Sequence, residues 1–253
     1  MWDNPRLLNA AANLLFGLAA ALFAFSALQA LLRSPLFPLR EIVVLGELKN
    51  ASREEIANAL DGLGGNFFAA ELADVRGRLE QVAWIRRVDT RRVWPDRIEV
   101  RLEEHVAFAR WGDSGFVNTF GEPFAAAMDA AEQARLPLLA GPAGTEGELA
   151  RRYRRFADLL APLGSVPDRV VLTPRHAWQL RLGEGPYAGL GLELGRDGAD
   201  AVEDRLARFV AAVPESLARV PLRAGAPAAG AGGGHVDLRY PNGFALRVAG
   251  WKG

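Results

Sequence analysis

Hydrophobic and polar positions alternate with different periods along the chain, and the first segment has no period at all. Positions 7–32 contain no charged residue and are almost uniformly apolar. As a helix at about 1.5 Å per residue, this segment is roughly 39 Å long, enough to cross a hydrocarbon core of roughly 30 Å. We therefore predict a single transmembrane helix at 7–32. A cleaved signal peptide, with "AFS" at 24–26 as its weak cleavage site, is the alternative.

The charges that flank this segment leave its orientation almost open. Asp3 and Arg6 precede it, and Arg33 and Arg40 follow it, so the positive-inside rule gives no clear preference. The short polar segment before the helix and the large domain after it favour an N-terminus inside the cell. We therefore expect a cytoplasmic tail at 1–6.

After the apolar segment, a β-branched run is followed by two amphipathic patterns and then by two alternating ones. Ser52 and Glu55 form a capping box, which marks the start of a helix. The order strand-helix-helix-strand-strand predicts a small α+β domain at 37–106, with both helices on one face of its sheet. The elements are expected at 39–46, 52–60, 71–82, 84–93 and 97–103.

The remaining positions, 107–253, predict a second, mixed α/β domain with a largely antiparallel sheet. Its last hairpin is indicated by Asn242-Gly243 between two alternating runs, a strong hairpin signal. A Gly- and Ala-rich insert at 224–234 precedes it and is assigned no structure. Hairpins are expected at 107–111 with 115–120, 177–182 with 190–195 and 235–240 with 244–248, and helices at 146–163 and 198–213.

Composition removes several classes of chemistry. The chain of 253 residues has a formal net charge of zero, no cysteine and three widely spaced histidines. Zero net charge gives no general attraction to nucleic acid. Without cysteine there is no disulfide, thiolate nucleophile or Cys-based metal site. We expect no metal, no cofactor and no small-molecule substrate.

Two motifs suggest chemistry but have simpler interpretations. "GDSGF" at 112–116 surrounds Ser114 as in serine proteases, yet the residues that would activate the serine are absent, and the same residues form hairpin loops. "RRYRR" at 151–155 is interpreted as the solvated face of a helix. We therefore predict that the protein is not an enzyme. A membrane-anchored hydrolase, resting on Ser114 alone, is the alternative from another class.

Taken together, these segments resemble the FtsQ/DivIB family of bacterial cell-division proteins along almost the whole chain after the apolar helix. The two runs "VWPDRIEVRLEEHVAFARW" and "VDLRYPNG" are the most specific pair. The matching segments lie at 37–47, 84–111, 136–144, 177–182, 192–196, 205–210 and 236–243.

This resemblance implies a POTRA domain at 37–106 and a periplasmic β domain at 107–253, both anchored in the inner membrane. It implies a non-catalytic scaffold at the division septum that recruits FtsB and FtsL and helps to regulate septal peptidoglycan synthesis. Another POTRA-bearing protein, of secretion or outer-membrane assembly, is the alternative.

The resemblance also implies a site at the last strands, where a sheet edge accepts a strand of FtsB. Tyr240 is the expected hot spot, because it combines a large ring with a polar tip; the simpler interpretation is a half-buried hairpin aromatic. The expected FtsB-binding residues are Arg175, Arg239, Tyr240, Asn242, Gly243 and Phe244.

Overall fold

A computed structural model describes residues 5–32, 34, 36–113, 115–198, 201–216, 234–240 and 243–247. The chain divides into two compact units, Met1–Glu104 and His105–Gly253. Residues 224–233 of the predicted insert at 224–234 lie outside the described residues, as does Ser114.

The first unit begins with helix α1 (Pro5–Leu32). Its segment Leu8–Leu32 is long and apolar enough to cross a membrane, and none of its most apolar window is buried in the protein. A helix that is apolar on all sides and exposed on all sides suits a lipid environment. The predicted single N-terminal apolar helix is confirmed.

The rest of the first unit is a small α+β domain. Strand β1 (Glu41–Leu45) is followed by helices α2 (Arg53–Leu60) and α3 (Leu72–Leu79) and by strands β2 (Ile85–Val93) and β3 (Arg97–Glu104). The sheet order is β1-β3-β2, with β3 parallel to β1 and antiparallel to β2. The predicted strand-helix-helix-strand-strand order is confirmed.

Local hydrogen bonds explain where this small domain begins its first helix. The Ser52 hydroxyl accepts the backbone N–H of Glu55, and the Glu55 carboxylate accepts the N–H of Ser52, so the predicted capping box is present. The carboxylate of Glu104, at the end of β3, accepts the N–H groups of Lys49, Asn50 and Ala51. This side chain holds the loop before α2 against the sheet.

The two faces of β3 differ as the alternation of its apolar and charged residues predicts. Ile98, Val100 and Leu102 are buried in the core, whereas the other face forms ion pairs with β2, such as Arg91 Nη2 to Glu99 Oε2 at 2.7 Å. The hydrophobic face therefore stabilises the domain, and the charged face stays accessible to water.

The described residues of the second unit form a nine-stranded mixed sheet with two long helices. The sheet order is β12-β11-β10-β9-β8-β7-β4-β5-β6, with antiparallel pairs in the majority. The predicted fold class is confirmed. The strands are β4 (Ala107–Trp111), β5 (Gly115–Asn118), β6 (Pro123–Phe124), β7 (Leu138–Ala140), β8 (Pro167–Leu172), β9 (Ala177–Leu182), β10 (Gly191–Arg196), β11 (His235–Asp237) and β12 (Ala245–Arg247); the helices are α4 (Ala130–Arg135), α5 (Glu146–Leu160) and α6 (Val202–Ser216), with a 3₁₀ turn at Ala161–Leu163.

Helices α5 and α6 supply the apolar side of this core. Phe156 and Phe209 are fully buried, and Phe156 meets Trp178 of β9 edge to face, with ring centroids 5.7 Å apart. Large buried aromatic rings of this kind dominate core packing. The sheet therefore packs on both helices, and the strand order leaves β12 and β6 as its two edges.

The predicted solvated arginine face of α5 is wrong for Arg152, which is only partly exposed, whereas Arg154 is exposed but also has a hydrogen-bond partner. Arg152 forms ion pairs with Asp197 at 2.6 Å and Glu203 at 3.2 Å and lies over the Trp178 ring. Arg154 donates to the carbonyl of Thr119. These guanidiniums bind neighbouring elements that the periodicity of α5 alone does not reveal.

Candidate protein-binding edge

The last strand of the chain lies at the edge of the nine-stranded sheet. Among the described residues, β12 pairs only with β11, in an antiparallel register that sets Ala245 against Asp237 and Arg247 against His235. Ala245 and Arg247 are exposed, while Leu246 packs against the core. An edge strand of this kind presents N–H and C=O groups that another strand can bind.

The neighbouring strand β11 fixes this edge to the domain. It runs parallel to β10, and its Val236 is fully buried. The ladder continues one residue further, where the N–H of Leu238 donates to the carbonyl of Glu193 at 2.9 Å. The edge is therefore an extension of the core sheet.

The connection between β11 and β12 is longer than the predicted one at 241–243. The strands end at Asp237 and resume at Ala245, so the connection spans 238–244. The Asp237 carboxylate accepts the backbone N–H of Arg239 at 3.0 Å, an Asx turn that competes with further strand pairing. The hairpin itself is present, but Arg239 and Tyr240 lie in its connection instead of on a strand.

Arg239 is held in place by two carboxylates. Its Nε and Nη2 donate to Asp237 at 2.8 and 2.6 Å, and its Nη1 lies 3.5 Å from Glu193. Hydrogen bonding to Arg239 lowers the pKa of the Asp237 carboxyl, and the same contact raises the pKa of the guanidinium. Both groups are therefore charged in the folded protein. We call Glu193, Asp237 and Arg239 the arginine clamp.

A glycine makes room for the clamp. Gly195 has φ of +75°, and a Cβ added there would lie 2.8 Å from Cγ of Arg239. Any other residue would be strained and would also displace the aliphatic part of Arg239. The Arg239 side chain thus lies across the backbone of β10.

Tyr240 follows the clamp and points into solvent. It is 55% exposed, so about half of its surface is accessible to a partner. Phe244, at the other end of the connection, meets Phe209 edge to face with centroids 5.3 Å apart. Gly243 is exposed, and Asn242 lies outside the described residues. The connection is therefore fixed at both ends and presents Tyr240 between them.

Arg175 lies at the same end of the sheet as this connection. It is exposed in the turn before β9, where the N–H of His176 donates to the carbonyl of Thr173 at 2.8 Å. Ala177 of β9 pairs with Arg196 at the end of β10, and β11 ends beside β10 because the two are parallel. Arg175 precedes β9, which lies two strand spacings from β11, roughly 10 Å at about 4.8 Å per spacing.

Sequence reasoning missed Glu193, Asp237 and Gly195, the residues that hold Arg239. The spacing Asp-x-Arg in "VDLRY" was a usable signal, since an aspartate often accepts a backbone N–H two residues later. Glu193 and Gly195 come from another strand, and no local pattern points to them.

The groups in this region suit contacts with another protein better than bond-making chemistry. Among the described residues, there is no group of three His, Cys, Asp or Glu side chains that could hold a metal ion. The region contains an exposed ring, exposed backbone and a strand edge that no other described strand pairs with, beside the arginine clamp.

Comparison with known proteins covers both folded domains. Residues 37–105 match the family model "POTRA domain, FtsQ-type", and residues 109–239 match "Cell division protein FtsQ/DivIB, C-terminal". The chain is 38% identical to the cell division protein FtsQ of Burkholderia pseudomallei, over 100% of this chain and 96% of the relative. It is 37% identical to that of Nitrosospira multiformis, over 98% and 99%. With that of Escherichia coli it shares 32% identity over 85% and 73%.

Proposed function

Because the chain belongs to the FtsQ/DivIB family of cell-division proteins, we propose that it is a non-catalytic scaffold of the divisome. In this role it recruits FtsB and FtsL and helps to regulate septal peptidoglycan synthesis. The observation that carries the proposal is the exposed edge of β12 beside a connection that the arginine clamp fixes.

The proposed mechanism is strand addition. A segment of FtsB pairs with β12 and continues the sheet by one strand, so that main-chain hydrogen bonds supply affinity. Side chains beside the edge supply selectivity. Because β11 and β10 are already fixed in the core, the edge is ordered before the partner arrives, and binding loses little entropy to ordering it.

The six candidate residues take different roles in this proposal. Tyr240 contacts FtsB directly and is the hot spot. Arg239 also faces the partner, but its guanidinium acts mainly through the clamp, which positions Tyr240. Phe244 anchors the other end of the connection on α6. Asn242, Gly243 and Arg175 contact the partner around this centre.

The apolar helix sets where the scaffold works. We propose that α1 spans the inner membrane with the N-terminus in the cytoplasm, so that 37–106 and 107–253 lie in the periplasm at the division septum. The helix is long and apolar enough for one crossing, and FtsB and FtsL would meet the protein on its periplasmic side.

The test of this function is the affinity of the full chain, reconstituted in lipid nanodiscs, for the periplasmic segment of FtsB. Tyr240→Ala is expected to weaken binding at least tenfold, which is about 1.4 kcal/mol. Tyr240→Phe keeps the ring and serves as the matched control, with a smaller loss. Equal affinity of the wild type, Tyr240→Ala and Tyr240→Phe would contradict a binding site at Tyr240. No binding by the wild type would overturn FtsB recruitment.

A further inference from the structure

Three large apolar side chains are exposed at one end of the small α+β domain. Trp94 is 76% exposed, as much as Phe23 in the middle of α1, and Leu36 is 71% exposed. Phe68 is 40% exposed, and its ring meets that of Phe37 edge to face, with centroids 5.2 Å apart. Apolar residues that cluster on a surface mark a site of interaction more often than scattered ones do. We call Leu36, Phe37, Phe68 and Trp94 the apolar end.

Sheet topology brings these residues together. Strands β1 and β3 are parallel and start at the same end of the sheet, where the antiparallel β2 finishes. The turn that holds Trp94 joins β2 to β3 at that end. The N–H of Arg40 donates to the carbonyl of Asp96 at 2.9 Å, so this turn lies directly beside the chain that leads from α1 into β1.

Further hydrogen bonds attach Phe67 and Phe68 to the same entry segment. The N–H of Phe67 donates to the carbonyl of Phe37 at 2.8 Å, and the Asn66 side-chain amide donates to the carbonyl of Ser34 at 2.6 Å. From the other side, Arg92 donates to the carbonyl of Phe67 at 3.2 Å. The apolar end is therefore a fixed part of the fold.

The chain itself indicates what covers this surface. Leu36 follows Leu32, the last residue of α1, by four positions, so it lies within about 14 Å of the end of the helix. Tryptophan and other amphipathic rings favour the interfacial layer of a bilayer. The exposed arginines at this end are paired: Arg40 and Arg97 have carboxylate partners in Asp96 and Glu41, and Arg92 donates to the carbonyls of Phe67 and Ala70. The exposed apolar side chains therefore lie among paired charges, which suits a membrane interface better than open solvent.

We propose that the apolar end docks into the headgroup layer of the membrane that α1 spans, on the side where α1 ends. Trp94 is the deepest contact outside α1, with Leu36 and Phe68 beside it. This inference rests on the membrane insertion of α1 contained in the proposed function. Docking would fix the height and tilt of the small domain over the bilayer. The domain would then keep one orientation instead of moving freely at the end of α1.

Fluorescence quenching by lipid-bound nitroxides tests this proposal. The full chain is reconstituted in nanodiscs of zwitterionic lipid, with nitroxides near the headgroups of a fraction of the lipids. Trp94→Phe isolates the emission of Trp94 by difference, and Trp84→Phe is the matched control, because Trp84 is buried at the start of β2, the opposite end of the same sheet. We expect Trp94 to lose most of its emission and Trp84 to lose little.

The other outcomes each overturn a defined statement. Unquenched Trp94 in a chain that co-floats with lipid vesicles overturns docking and leaves the anchor intact. A chain that does not co-float overturns the membrane anchor and docking together. Equal quenching of Trp94 and Trp84 overturns end-on docking, because the whole domain would then lie on the lipid. Trp94 that is unquenched in the nanodiscs and becomes shielded only when a partner protein is added overturns lipid docking and assigns the surface to a protein contact.

Discussion

The two outer strands of the nine-stranded sheet are built differently. Strand β6 is only Pro123–Phe124, and its proline has no N–H to offer a partner, so this edge is closed to further pairing. Strand β12 contains no proline, and Ala245 and Arg247 of this strand are exposed. The same sheet therefore blocks one edge and leaves the other available, which is what a protein that accepts one specific strand requires.

The small α+β domain protects one of its two edges in a third way. Strand β2, one of its two outer strands, carries Arg87, Asp89 and Arg91 on exposed positions, and Arg87 pairs with Asp89 at 3.3 Å. Charges along an edge strand discourage pairing with an unrelated strand. Of these three edges, β12 is the least protected, and the predictions below are directed at this difference.

The largest effect is expected from a proline in β12. Ala245→Pro or Leu246→Pro removes an N–H that serves either FtsB or the pairing with β11, so FtsB binding should fall by more than tenfold, over about 1.4 kcal/mol. Titration calorimetry on the full chain in nanodiscs measures this loss. Pro123→Ala, on the other edge, is the control and should bind FtsB like the wild type; a similar loss there would contradict the difference between the edges.

A smaller effect is expected from opening the arginine clamp. Asp237→Ala removes both the Asx turn and the charge that holds Arg239, and binding should weaken roughly fivefold to tenfold because Tyr240 is no longer positioned. Asp237→Asn keeps an acceptor for the Arg239 N–H, so its affinity for FtsB should lie between those of the wild type and Asp237→Ala. The double variant with Arg239→Ala tests coupling: strictly additive losses would show that the two residues act separately.

The clamp should also give binding a dependence on acid. Because hydrogen bonds from Arg239 lower the pKa of Asp237, its contribution is complete above the ordinary aspartate pKa of about 3.9 and is lost as pH falls through the lowered value. The Asp237-dependent part of FtsB affinity should therefore be constant at neutral pH and disappear only below about pH 4. If Asp237→Asn shows the same acid loss as the wild type, another group is responsible.

The smallest effect is expected at Arg175. It is exposed and two strands away from β11, so Arg175→Ala should change FtsB affinity by only about twofold to threefold. Arg175→Lys separates charge from shape in the same titration. A loss as large as that of Tyr240→Ala would place the centre of the interface nearer β9 than we propose.

Local patterns predicted most of the fold because local physics determines it. The Ser52 capping box and the alternation on β3 are confirmed with the same residues on the same faces. The start of α6 was wrong by four residues, since the helix begins at Val202 and not at 198. There the Asp197 carboxylate accepts the Val202 N–H at 3.2 Å while it pairs with Arg152 of α5, a tertiary contact that no window of sequence contains.

The candidate site likewise has parts that local sequence predicts and parts that depend on tertiary contacts. A hairpin at the end of the chain and an exposed Tyr240 could be anticipated from "VDLRYPNG" and its resemblance. The clamp could not, because Glu193 and Gly195 belong to β10 and reach Arg239 only through the parallel pairing of β10 with β11. The apolar end that contains Trp94 was missed for the same reason, because the Trp94 turn lies beside Arg40 only in the folded sheet.

Backbone amide hydrogen exchange of the full chain, with and without the periplasmic segment of FtsB, is the most direct test of strand addition at β12. We predict slower exchange of amides in 245–247 when FtsB is bound, with no change at Phe124 of β6. Protection at β6, or unchanged exchange in 245–247 under saturating FtsB, would contradict the account.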